Sequence, residues 1–198
     1  MRKSTRESND VRGFVAIGAS LGGSDALRVL LSGLPENFPA PVGVVLHRDR
    51  EGGALLTEYL RKDCPLEVRE AEDKTPIAPG IIYIAPANYH LLVEKNHFAL
   101  STEAPVNHAR PAIDVFFESV AEAFGKYAAG ALLTGNSDDG ARGLTAIKRY
   151  GGMTVVQSPE TALASRMPSA ALADAEIDRV LPLDEIAPFL AETFTSRK

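Results

Sequence analysis

Gly13-Phe14-Val15-Ala16-Ile17-Gly18-Ala19-Ser20-Leu21-Gly22-Gly23 decides how the rest of the chain is read. Residues 13–17 form a short apolar run bounded by glycine. From 24 to 34, Ala26, Leu27, Leu30, Leu31 and Leu34 then recur at helical spacing. A buried strand that turns tightly into an amphipathic helix is the repeating unit of a parallel sheet wrapped by helices. The turn also reads Gly-x-Ser-x-Gly, a pattern that presents a serine hydroxyl at the carboxyl end of a strand. An unusual backbone conformation is expected at Ser20, with a helix N-terminus nearby that favours negative charge. Two other readings stay open at this point. Glycine-rich strand–helix junctions also cradle phosphates, with Asp49 as a ribose-binding acid, and the glycines can serve close helix–strand packing alone.

Outward from this unit the alternation continues. Strands are expected at Val42–Leu46, 66–69, 128–133, Met153–Gln157 and Arg179–Leu181, and helices at 54–62, Ile113–Phe124, 142–150, 168–174 and 186–194. The middle differs: 81–85, His90–Glu94 and 98–101 are extended pieces with few residues between them. They are read as an antiparallel insert, with Lys95-Asn96-His97 as a hairpin turn. The fold class is therefore α/β, one domain over 13–198, preceded by a polar segment, 1–12, expected to be disordered.

The balance of charge narrows the partners. Lys plus Arg total 21 against 26 Asp plus Glu, a formal charge of −5, and the longest basic run is as short as Arg61-Lys62. A basic stripe for nucleic acid is missing. Cys64 is the one cysteine, so no intrachain disulfide can form and nothing points to an oxidising compartment; it reads as a small packed residue. The run from Phe14 to Ile17 is too short for a signal-peptide core or a membrane span. A cytoplasmic protein without membrane insertion is the expectation.

A serine hydroxyl is a weak nucleophile and needs a base, for which histidine suits neutral pH. His47 directly follows the second strand, at the sheet edge where Ser20 emerges. His90 and His97 fall in the hairpin and His108 in a loop; surface or packed roles are expected of them, and they lack the spacing of a zinc site. No metal or cofactor is expected. The orienting acid is expected in Thr134-Gly135-Asn136-Ser137-Asp138-Asp139-Gly140, again at a strand's carboxyl end. One of its two aspartates is expected to cap the following helix. The order Ser…His…Asp differs from the Ser…Asp…His of α/β-hydrolases.

These stretches, together with Tyr83-Ile84-Ala85-Pro86 and His90, Asn107 with Arg110-Pro111 and Asp114, Gln157, and Met167-Pro168, resemble the CheB-type protein-glutamate methylesterases in the same order, over about Phe14 to Leu181. The resemblance implies a doubly wound, mostly parallel sheet flanked by helices, with an antiparallel hairpin insert. It implies hydrolysis of γ-glutamyl methyl esters on the cytoplasmic helices of methylated chemoreceptors, with deamidation of glutamines. Carried over by motif, Ser20 is the nucleophile, His47 the general base and acid, and Asp139 the orienting acid, which leaves Asp138 to cap a helix or face solvent. The backbone N–H of Asn136, where such enzymes usually have methionine, helps bind the oxyanion. Leu21 stands where threonine is usual, and His108-Ala109-Arg110-Pro111 replaces Arg-His-Arg-Pro, so Leu21 and Arg110 become candidate substrate-binding residues. Such enzymes also carry an N-terminal receiver domain. About a dozen residues precede the first strand here, so action without an attached receiver is expected, or control by a separate response regulator.

Overall fold

The computed structural model describes residues 11, 13–47 and 53–196. Asp49 and, apart from Val11, the segment 1–12 lie outside the described residues. In chain order the elements are β1 (Phe14–Ala19), α1 (Gly23–Ser32), β2 (Val42–Leu46), α2 (Gly53–Arg61), β3 (Glu67–Glu70), β4 (Ile81–Ile84), β5 (His90–Glu94), β6 (His97–Ser101), α3 (Ile113–Phe124), β7 (Ala128–Leu132), α4 (Ala141–Arg149), β8 (Met153–Gln157), α5 (Arg166–Asp174), β9 (Arg179–Leu181) and α6 (Leu183–Thr195).

Seven strands form one sheet in the order β3-β4-β2-β1-β7-β8-β9, and every neighbouring pair is parallel. Every residue of β1, β2 and β7 is buried, as strands covered on both faces require, so they read as unbroken apolar or small-residue runs rather than as alternations. Within β1 the side chains still divide by face. Val15 and Ile17 join Leu27, Leu30 and Leu31 of α1, Leu56 and Leu60 of α2, and Ile186 and Leu190 of α6. Phe14 and Ala16 join Phe116, Phe117 and Val120 of α3, Leu144 and Ile147 of α4, and Leu91 and Phe98 of the hairpin. This is the doubly wound arrangement.

The stretch 81–85 departs from expectation. It supplies β4, a parallel strand between β2 and β3, and not a piece of the antiparallel insert. Ile82, Tyr83 and Ile84 are fully buried, which needs cover on both faces and so suits the main sheet. The short link to β5 hid this, because closeness in sequence suggested hairpin pairing. The insert is β5 and β6 alone, paired from His90↔Ser101 to Glu94↔His97. Its turn is correspondingly tighter than expected, Lys95-Asn96, with Lys95 left-handed at φ 55. Phe98 anchors the hairpin to the sheet, its ring 4.7 Å from Tyr83 and 6.2 Å from Phe14 between centroids.

The winding reverses at β1, which has β2 on one side and β7 on the other. In sheets of this kind the crevice for ligands opens beyond the carboxyl ends of the strands at such a reversal. Ser20, His47 and the 134–140 turn all follow strands that end there.

Candidate active site

Register brings Ser20 and His47 side by side. Ala19 pairs with Leu46, so the next residue of each strand is again a neighbour, and parallel strands lie about 4.8 Å apart. The His47 N–H donates to Ala19 O at 3.0 Å, and the Ser20 N–H donates across to Thr134 O at 2.9 Å. The ends of β2, β1 and β7 are thus tied together at the residues of interest. Both side chains line an open cleft of about 840 Å³. Among the described residues, no hydrogen bond joins the Ser20 hydroxyl to the imidazole in this resting geometry.

The turn after Ser20 differs from the expected elbow. The left-handed residue is Gly22, at φ 77, whereas Ser20 is not among the positive-φ residues. A side chain at Gly22 would also collide with Leu163, whose Cδ2 would lie 2.7 Å from the added Cβ. The tight bend is therefore made two residues beyond the serine, where the chain enters α1.

Asp139 is fully buried and accepts four hydrogen bonds. Its Oδ2 takes the His47 ring at Nε2, 2.7 Å away, and the Ile113 N–H at 2.7 Å; its Oδ1 takes the Asp114 N–H at 3.0 Å and Asn107 Nδ2 at 3.1 Å. Ile113 and Asp114 are the first residues of α3, so the carboxylate sits on a helix N-terminus. Burial pushes its pKa up, but the hydrogen bonds from His47, from the two backbone N–H groups and from Asn107 outweigh burial and hold it below the usual carboxylate range.

The neighbouring acid is used differently. Asp138 is exposed and pairs with Arg166 through Nε and Nη2, both at 3.0 Å, and that guanidinium lowers its pKa. It does not cap α4, whose N-cap is Gly140 without a side-chain bond. The cap comes from another helix: Asp114 Oδ1 accepts the N–H groups of Gly140 at 2.9 Å and Gly143 at 2.8 Å. Asp114 is 2% exposed. Burial raises its pKa; the Gly143 N–H opposes this and the charge on Asp139 adds to it.

The 134–140 turn packs directly on the serine. A Cβ at Gly135 would lie 2.8 Å from Ser20 Cβ and 2.1 Å from Met167 Sδ, so glycine there sets how near the turn approaches. The Thr134 N–H donates to Gln157 Oε1 and the Gly135 N–H to Ala164 O, each at 2.9 Å. The next donor, the Asn136 N–H, makes no hydrogen bond among the described residues. The Thr134 hydroxyl donates to Leu21 O at 2.9 Å and accepts the Ala164 N–H at 2.9 Å, bridging the serine turn and the 162–165 segment.

Leu21 is 57% exposed beside Ser20, and Arg110 lines the same cleft. The Arg110 Nη1 is engaged by the backbone carbonyls of Thr102 and Glu103 at 2.8 and 2.9 Å, so part of its guanidinium holds the chain rather than the cleft. His90 is buried; its Nδ1 accepts the Ala112 N–H at 3.2 Å and its Nε2 faces Ala104 O at 3.1 Å. His97 pairs with Glu94 at 3.5 Å. His108 lines the cleft. Among the described residues no cluster of His, Cys, Asp or Glu is arranged to hold a metal ion, and no helix is long and apolar enough to cross a membrane. Burial raises the pKa of the partly buried Cys64 thiol.

Thr134, Asn107, Asp114 and Gln157 were not singled out for a role by sequence reasoning, although all four fall in the ordered motifs. For Thr134, Asp114 and Gln157 the signal is a polar side chain at or just beyond a strand or helix end; Asn107, in the loop before α3, carries no such mark.

Comparison with known proteins places the chain in a family. Residues 15–190 match the CheB methylesterase family. A Leptospira interrogans relative is 41% identical over 174 residues, 87% of this chain and 90% of that protein. The "Protein-glutamate methylesterase/protein-glutamine glutaminase of group 3 operon" of Pseudomonas putida is 43% identical over 191 residues, 96% of this chain but 56% of that longer protein. The crystal structure of the Thermotoga maritima CheB methylesterase catalytic domain superposes with a TM-score of 0.89 at 34% identity, covering 91% of this chain and 98% of that one. The chain belongs to the CheB methylesterase family.

Proposed function

We propose that this chain is a serine hydrolase that cleaves γ-glutamyl methyl esters on the cytoplasmic helices of chemoreceptors, and deamidates glutamines at equivalent positions. The observation that carries the reading is the hydrogen bond of 2.7 Å between buried Asp139 and the cleft-lining His47, set beside Ser20 on the neighbouring strand end. With Nε2 committed to Asp139, Nδ1 is the imidazole nitrogen available to Ser20. It takes the hydroxyl proton as Oγ attacks the ester carbonyl. The oxyanion forms towards the Asn136 N–H, a donor of the adjoining turn that makes no hydrogen bond among the described residues. The imidazolium returns its proton to the departing methoxide, releasing methanol, or to the departing amine of a glutamine, releasing ammonia. Water then enters by the same route: His47 takes one proton as the water oxygen bonds the acyl carbon. The acyl–Oγ bond breaks, the imidazolium returns that proton to Oγ, and the product acid loses its proton to solvent and leaves as the glutamate carboxylate. Asp139 stays ionised throughout and stabilises the imidazolium.

Leu21 and Arg110 are proposed to face the substrate around the ester. The open cleft supports activity of the 198-residue chain by itself, in the cytoplasm where receptor helices are reached. The test is methanol release from a receptor fragment carrying methyl-esterified glutamates. Wild type should release it without any phosphodonor, and Ser20→Ala should be slower by about 10³-fold or more. Equal release by Ser20→Ala would sink the nucleophile assignment. Release only after a separate receiver protein is added would put control in trans.

A further inference from the structure

Asn107 occupies an unusual position. With His108 it forms a two-residue turn closed by Val106 N–H to Ala109 O at 3.1 Å and Ala109 N–H to Val106 O at 2.9 Å. Both residues are left-handed, at φ 50 and 61, a region that L side chains rarely adopt and asparagine tolerates better than most. From this turn the carboxamide reaches inward. Nδ2 has two hydrogens, and they go to two different acids: Asp114 Oδ2 at 2.9 Å and Asp139 Oδ1 at 3.1 Å. Each acid is buried, and each covers the N-terminus of a helix, Asp139 that of α3 and Asp114 that of α4.

We propose that Asn107 is a positioning residue for the hydrolysis, its one carboxamide bridging Asp114 and Asp139 and fixing the Asp139 rotamer so that Oδ2 stays on the His47 imidazole. The proposal rests on the reading of Ser20, His47 and Asp139 as a triad. Backbone N–H groups alone hold Asp139 from α3; Asn107 supplies a side-chain donor to the same Oδ1 that accepts the Asp114 N–H, and bridges two like charges. An aspartate there would add a third carboxylate. Among the described residues, the other charged or titratable groups near the pair are few. His47 lies at the end of β2, and His108 on the turn itself. Arg142 of α4 is 3.8 Å from Asp114 Oδ2, but it is largely exposed and is held at 2.8 Å by Glu118 of α3. It is a poor substitute for the amide.

The test uses a fluorophosphonate, which needs Ser20 and its base but no glutamyl substrate: Oγ–P forms, P–F breaks and the hydroxyl proton goes to His47. Labelling rates across pH give the acid limb of the triad. Asn107→Gly deletes the amide while keeping a residue suited to the left-handed turn. It should slow labelling at pH 6 by about tenfold, as loss of an orienting partner does elsewhere. The acid limb should rise by about one pH unit, because the unbridged carboxylates favour protonation. Asn107→Asp should move it further. Adding Asp114→Asn to Asn107→Gly removes the opposing charge, keeps an oxygen for the α4 N–H groups, and should return the limb towards wild type. A merely structural role would instead lower the melting temperature, leave the limb in place and make the double variant worse. If wild type labels at Ser20 and neither Asn107 variant moves the limb, the positioning role is wrong and the triad stands. If wild type does not label at Ser20, the triad reading falls and this proposal with it.

Discussion

Residues that act as one unit lose their joint effect when either is removed, so the proposed pairing of Ser20 with His47 has a quantitative signature. His47→Ala should slow methanol release by about as much as Ser20→Ala, and the double variant should be little worse than either. A multiplicative loss in the double variant would show that the two do not work together. The adjacent aspartates give a second contrast. Asp139→Asn removes the charge that faces Nε2 and can hold the wrong tautomer, an exchange that costs about 10⁴-fold in a serine protease. Asp138→Ala removes an exposed pair with Arg166, and such pairs contribute roughly 0–1 kcal/mol. Turnover should collapse in the first and survive in the second; kinetics and thermal melts on both variants decide it. The sequence places both aspartates in one turn at a strand's carboxyl end. What it could not show is which of them meets α3, because that contact spans 25 or 26 residues of chain.

Among the connecting elements, Thr134 couples most. Its buried hydroxyl ties the serine turn, through Leu21 O, to the 162–165 segment, through the Ala164 N–H. Thr134→Val keeps the shape and leaves both backbone groups unpaired, costing about 1–3 kcal/mol, or roughly 2–12 °C of melting temperature in a domain of this size. An unchanged melt would mean the bridge is idle. Strands and helices were legible because Phe14–Ala19 is an unbroken run of apolar and small residues and Ile113–Phe124 carries its helical period openly. Two features were not. Strand β4 was taken for hairpin because neither sheet order nor burial is local information. The cap on α4 was sought in the residues just before it, whereas Asp114 supplies it from α3. Capping by a residue of another helix leaves no mark in the capped sequence.

Acid stability follows from how the fold treats its carboxylates. Asp139 and Asp178 are both held below the ordinary range. For each, burial works the other way and is outweighed by hydrogen bonds, for Asp178 first that from Lys148. Their contribution is complete above the unfolded carboxylate value of about 3.9 and is lost as pH falls through the folded values beneath it. Asp114 has the opposite sign: its raised pKa weakens the fold while it is ionised, and protonation relieves that cost. The urea midpoint should therefore stay nearly level between pH 7 and pH 5 and drop below about pH 4. Asp139→Asn should flatten that drop, and a variant curve parallel to wild type below pH 4 would contradict the assignment.

The central trio of strands, β2-β1-β7, has a consequence for how the chain becomes active during folding. His47 and Asp139 are 92 residues apart in sequence, and β1 must gather β2 on one flank and β7 on the other before either partner can meet Ser20. Parallel pairings over such separations close late, because loop entropy is lost before contacts compensate. A helix or hairpin formed early carries no part of the triad by itself. On dilution from urea, fluorophosphonate reactivity should therefore return in the slow phase that completes the core, after the helical signal has begun to recover. Reactivity that appears with the first helical signal would mean the trio is already assembled in the collapsed chain.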